Sequence, residues 1–129
     1  MCYESGLTEA EMRKKIVGNG GFNAYLGTND ARDVEKRVNE GDKEATLIRD
    51  AFVYQMSKNI GAMAAVLSGK VDAIIMTGGI AYDKAITQMI SDRVSFIAPV
   101  KLYPGEDELL ALAQGALRVM NGEEEAKAY

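Results

Sequence analysis

Along most of this chain apolar residues recur at intervals of three and four, the spacing of helices with one buried face. The longest such stretch sets Ile48, Phe52, Met56, Ile60, Met63 and Leu67 on one continuous stripe and predicts a helix from about Lys43 to Ser68. Ala45, Ala51, Ala62, Ala64 and Ala65 flank the stripe and Gly61 interrupts it, so another backbone can approach closely there. The stripe suits either the chain's own core or a contact with a second copy. A shorter helix over about Glu9 to Val17 is bounded by Thr8 and Glu11, spaced as a capping box, and by Gly18, which can take a left-handed stop. Asn29 and Asp30 are candidate N-caps of a helix ending near Glu40, with Gly41 free to adopt positive φ and Asp42 capping the long helix at once.

A different pattern follows. Val71, Ala73, Ile74, Ile75 and Met76 are apolar on both sides, as in a parallel strand covered on both faces, and Gly69 with Lys70 supplies the preceding turn. Ala85, Ile86, Met89 and Ile90 then share one helical face, and Val94 to Ile97 reads as a second short strand, giving a βαβ unit. Pro99, Pro104 and Gly105 interrupt the chain before a final helix with Glu106, Asp107 and Glu108 in its first turn. Its buried side is expected to carry Leu109, Leu112, Ala113, Ala116, Leu117 and Met120, with Gly122 as its stop and Glu123 to Tyr129 as a solvated tail. The inventory is five helices and two strands, an α/β unit in which the sheet lacks neighbours. Either Phe22 to Leu26, within an irregular or extended run from Gly20, adds a third strand, or another chain or an upstream segment supplies the rest.

Size and charge narrow the possibilities. The 129 residues, 47% hydrophobic and 26% charged, suffice for one domain, 1–129, and not for two ordinary ones. With 15 Lys and Arg against 19 Asp and Glu the net charge is −4, which argues against nucleic acid or an anionic membrane surface as partner, though not against a nucleotide. No apolar run approaches the roughly 18 residues of a membrane span, and Met1 to Gly6 holds no secretory core, so a cytoplasmic location is expected. Cys2 is the only cysteine and histidine is absent, which removes any intramolecular disulfide, Ser/His or Cys/His catalytic pair, and imidazole metal site.

Three segments carry candidate chemistry. Thr77, Gly78, Gly79 and Ile80 stand at the carboxyl end of the predicted strand, where ligands of open α/β sheets bind and where glycines let backbone approach a phosphate. Paired glycines also serve simply to turn a chain, and this motif is neither a dinucleotide loop nor a P-loop. In Gly27 to Asp33, Asp30 and Arg32 suit a ribose hydroxyl and a purine face, although capping and solvation explain the same residues. In Tyr103 to Glu108, the clustered carboxylates of Glu106, Asp107 and Glu108 suit Mg²⁺, directly or through water, and equally complement a helix dipole.

Taken in order, these segments resemble the C-terminal part of the butyrate kinases, in the acetate kinase branch of the actin and sugar-kinase superfamily. The resemblance runs from Gly20, Gly21 and Phe22 through AYLGTNDARDVEKRV, IGAMAAVLSGKVDAIIMTGGIAYDK and RVSFIAPV to YPGEDELLALAQGALRV. The adenosine motif, TGGIGE in acetate kinases, stands here as Thr77, Gly78, Gly79, Ile80, Ala81 and Tyr82, which looks like the butyrate kinase form. The resemblance implies a helix-rich part of a ribonuclease H-like (actin-like ATPase) lobe with a small parallel sheet. It also implies that Asp30 and Arg32 line the adenosine pocket with Thr77, Gly78, Gly79 and Ile80, and that Glu106 or Glu108 serves Mg²⁺. The implied activity is transfer of a phosphoryl group from ATP to butyrate or a similar short-chain carboxylate, leaving ADP.

The resemblance covers roughly the last third of such an enzyme, and the family's first lobe, catalytic arginines and catalytic aspartate have no counterpart here. The chain alone is therefore expected not to turn over; the resemblance implies ATP or ADP as the nucleotide partner of the parent enzyme, with the carboxylate held by the N-terminal lobe. Apolar surface left by the two-stranded sheet points to a homodimer. The alternative is a non-catalytic nucleotide-binding or self-association module built on the same half-fold.

Overall fold

The computed structural model describes residues 5–105 and 107–126; Glu106, Cys2 and the end of the tail lie outside the described residues. Among the described residues the helices are α1 (Glu9–Ile16), α2 (Gly21–Leu26), α3 (Ala31–Asn39), α4 (Lys43–Val66), α5 (Lys84–Val94) and α6 (Glu108–Met120). The strands β1 (Ile74–Gly78) and β2 (Val100–Pro104) flank α5, and a 3-10 turn, Gly79–Tyr82, follows β1. No helix among the described residues is long and apolar enough to cross a membrane.

Helix starts follow the local chemistry. Thr8 Oγ1 accepts from the Glu11 N–H at 3.3 Å while the Glu11 carboxylate receives the Thr8 N–H at 2.8 Å, the reciprocal box that the spacing predicts. Asp30, Asp42 and Asp83 each accept from backbone N–H groups in the first turn of α3, α4 and α5, at 2.9 to 3.0 Å.

The core forms where α4 and α5 meet β1. Val53, Ile74, Met76, Ile86, Ile90, Val94 and Ala98 are buried together, with Phe22, Phe52 and Ile60 packed at the margin. Ile86, Ile90 and Val94 are spaced by four, so Val94 closes the buried face of α5 and the expected strand Val94 to Ile97 does not exist. The second strand starts six residues later at Val100, parallel to β1 with Ile74 opposite Val100 and Met76 opposite Leu102. Proline brackets this strand rather than breaking it: Pro99 stands just before it, its carbonyl accepting the Ile74 N–H at 2.9 Å, and Pro104 is the last strand residue.

Other expectations are corrected too. Phe22 to Leu26 is not a third strand, since Gly21–Leu26 is a helical turn closed by Gly27 at φ +71° and anchored by Phe22 against Phe52, ring centroids 4.9 Å apart. The sheet therefore has two strands. β1 is covered on one face only, because Ile74 and Met76 turn into the core while Ile75 remains 60% exposed. On α4 the fully buried positions are Ala45 and Val53, and the stripe runs out into solvent at Met63 and Leu67. α6 is an intact helix, but its expected buried side is open, with Leu109 85% and Met120 80% exposed, because no described element lies over it.

Candidate functional site

β1 delivers Thr77, Gly78 and Gly79 to its carboxyl end. Gly78 takes φ +74° and ψ −167°, a conformation open to glycine alone, and so turns the strand sharply into Gly79–Tyr82. Its N–H donates to the Gly105 carbonyl at 3.1 Å, and the Gly105 N–H returns a bond to the Gly78 carbonyl at 3.2 Å. The ends of both strands are thereby clasped. Asp83 then stops the 3-10 turn and starts α5.

The loop before α3 is held as firmly. Thr28 Oγ1 donates to Asp33 at 2.9 Å and accepts the Asp30 N–H at 3.1 Å. Asp30 caps α3 through the Arg32 N–H, and Arg32 Nε closes back on both carboxylate oxygens, at 3.0 and 3.1 Å. The Arg32 side chain, then its backbone N–H, hold the Asp30 carboxyl down from its ordinary 3.8 to about 2. Behind this loop Arg37 donates to Asp42 at 2.8 Å and to the Leu26 carbonyl at 3.1 Å, joining the end of α2 to the α3–α4 junction.

Between these two constructions lies an open cleft of about 1420 Å³. It brings together Asp30 and Arg32 from the start of α3 with Gly79 and Ile80 from the turn after β1. Thr77 and Gly78 are not among its lining residues; they stand immediately behind Gly79 on β1. Glu108 opens α6 and does not line the cleft either. Phe22, Ala31, Phe52 and Ala85 give the cleft apolar surface, and Glu35, Lys36, Asn39, Glu40, Asp83 and Lys84 give it polar groups. Sequence reasoning missed these. Lys36 lies one helical turn beyond Arg32 and Lys84 follows the glycine pair by five residues, so both were within reach of helical periodicity. Phe22 carried no such signal, because its segment reads as extended.

The donor set fits a nucleotide. An apolar surface for a base, a carboxylate and a guanidinium beside it, and exposed glycine backbone at a strand's carboxyl end occur in one cleft. Among the described residues no three His, Cys, Asp or Glu side chains come together to hold a metal ion.

The sequence profile of the acetokinase family matches residues 1–102. The chain belongs to that family. Over all of its 129 residues it is 57% identical to butyrate kinase 2 of Clostridium acetobutylicum and equally to a probable butyrate kinase 2 of Caldanaerobacter subterraneus subsp. tengcongensis. It spans 36% of the length of each of these relatives. Among solved structures, an acetate kinase of Porphyromonas gingivalis superposes with a TM-score of 0.74 at 20% identity, over 89% of this chain and 35% of that one. The likeness establishes the fold: a helix-rich part of an acetate kinase lobe with a small parallel sheet.

Proposed function

We propose that this acetokinase chain is the nucleotide-holding part of an ATP-dependent short-chain carboxylate kinase, with butyrate as acceptor. The observation that carries the reading is the meeting of Asp30 and Arg32 with Gly79 and Ile80 in one cleft, although α4 and β1 separate them in sequence. Support for butyrate comes from the two butyrate kinase relatives at 57% identity. In this reading Ile80, Phe22 and Phe52 receive the base, Asp30 accepts from a ribose hydroxyl, and Arg32 covers the purine face as a planar cation. Gly79 lets the backbone come close to the phosphates. Phosphoryl transfer needs electrostatic clamps on the group in flight, and no cluster of cations aimed at such a group is formed by the described residues alone, so the chain by itself binds and does not turn over.

Two measurements test the proposal. Calorimetry on the purified chain is expected to show saturable ATP and ADP binding with no butyryl phosphate formed; turnover by the chain alone overturns the second half. Exchanging this chain for the matching segment of the Clostridium acetobutylicum relative is expected to give an enzyme that phosphorylates butyrate in preference to acetate. A folded chimera that phosphorylates neither acid sinks the assignment.

A further inference from the structure

The turn Gly79–Tyr82 ends on an aromatic side chain that borders the cleft. Tyr82 lines it beside Ile80 and is 68% exposed. The backbone there has little freedom: Gly78 is clasped to Gly105 before the turn, and after it the Asp83 N–H donates to the Ile80 carbonyl at 3.0 Å while the Asp83 carboxylate caps α5. The ring is then placed by what its side chain meets, which is Gly105, the residue after β2. The tyrosine oxygen stands 2.9 Å from the point that a Cβ on residue 105 would occupy, with Cζ at 3.7 Å. A methyl group at that point and the hydroxyl cannot both keep their places. Position 105 therefore demands glycine for two separable reasons, its φ of +105° and the hydroxyl laid over it. Gly105 itself does not line the cleft.

We propose that Gly105 is a positioning residue for the cleft and acts through Tyr82: its missing Cβ lets the ring lie as a wall against which a ligand's base packs. The inference rests on the nucleotide reading above and adds to it a residue outside the cleft, at the exit of the other strand, that decides how the base fits. An aromatic face meets a planar base whatever phosphates the ligand carries, so bare adenosine is a sufficient probe.

The test is the adenosine affinity of the purified chain across a cycle of substitutions. Tyr82→Ala removes the ring and is expected to weaken adenosine about fivefold or more, the scale of one base stacked on an aromatic side chain. Tyr82→Phe keeps the ring without the hydroxyl and is expected to bind as the unsubstituted chain does. Gly105→Ala is expected to weaken binding where Tyr82 is present and to do so far less in the Tyr82→Phe background, where the nearest side-chain atom lies 3.7 Å from the new methyl. Backbone strain at φ +105° is common to both backgrounds and cancels in the comparison, so the rescue isolates the hydroxyl. An equal effect of Gly105→Ala in both backgrounds, whether nil, strain or unfolding, overturns the positioning role, and unchanged affinity in Tyr82→Ala overturns the wall; the nucleotide reading survives either. Absence of adenosine binding by the unsubstituted chain overturns that reading and this inference with it.

Discussion

Asp30 does two jobs with one carboxylate, accepting the Arg32 N–H that opens α3 and fixing the Arg32 guanidinium at the cleft edge. Its pKa falls from 3.8 to about 2 because both bonds favour the charged form, that of the Arg32 side chain most. A group depressed in the folded state contributes stability that is complete above its unfolded pKa and lost as pH falls through the folded one. The window here is therefore between about pH 4 and pH 2. A carbon-13 titration of the Asp30 carboxyl is expected to show a midpoint near 2 in the folded chain, and a midpoint close to 3.8 would remove the ion pair from the account. Asp30→Asn keeps an oxygen for the cap and releases Arg32. It is expected to leave α3 folded, weaken nucleotide binding, and reduce the acid sensitivity of that window without abolishing it, because Asp42 and Glu11 are also held below their ordinary values by their hydrogen bonds.

The elements divide into those anchored by a core and those that are not. Ile86 is fully buried where α5 meets β1, whereas Leu112 on α6 is largely exposed. At concentrations low enough for the chain to be monomeric, truncating Ile86 to Ala is expected to cost about 2–5 kcal/mol by urea denaturation, and truncating Leu112 no more than about 0.5 kcal/mol. Comparable losses would mean that α6 is packed in solution against something described above as absent. The same division explains what was legible in the sequence. Caps at Thr8, Asp30 and Asp42 were readable because they are settled within four residues of chain. β2 was not, because Val94 satisfies a helical period and a strand run equally well, and burial on α5 decides between them. α2 escaped because six residues cannot hold a helix alone; Phe22 against Phe52 supplies the missing stability from across the chain. Of the site, the motif residues Asp30, Arg32, Gly79 and Ile80 could be named in advance. The cleft's aromatic residues and lysines depend on how α2, α3 and α5 converge, which no local pattern states.

At the scale of the whole molecule, the apolar positions outnumber the places available to bury them. Ile75 on the open face of β1, Met63 on α4, Leu67 at its C-cap, and the α6 stripe from Leu109 to Met120 all face solvent. Surface of that kind associates. Light scattering is expected to show a mass that rises with concentration toward a dimer, and Leu112→Glu, placed in the middle of the α6 stripe, to lower it. A monomer at every concentration would refute the association. α6 joins the rest of the molecule close to the cleft: two residues separate it from Gly105, and Gly105 is sewn to Gly78, the neighbour of Gly79. The helix is thus a handle mounted beside the glycine turn of the cleft. On the proposed nucleotide reading, a partner that grips α6 and steadies the glycine turn would strengthen nucleotide binding, and nucleotide would strengthen the partner's, by the same factor.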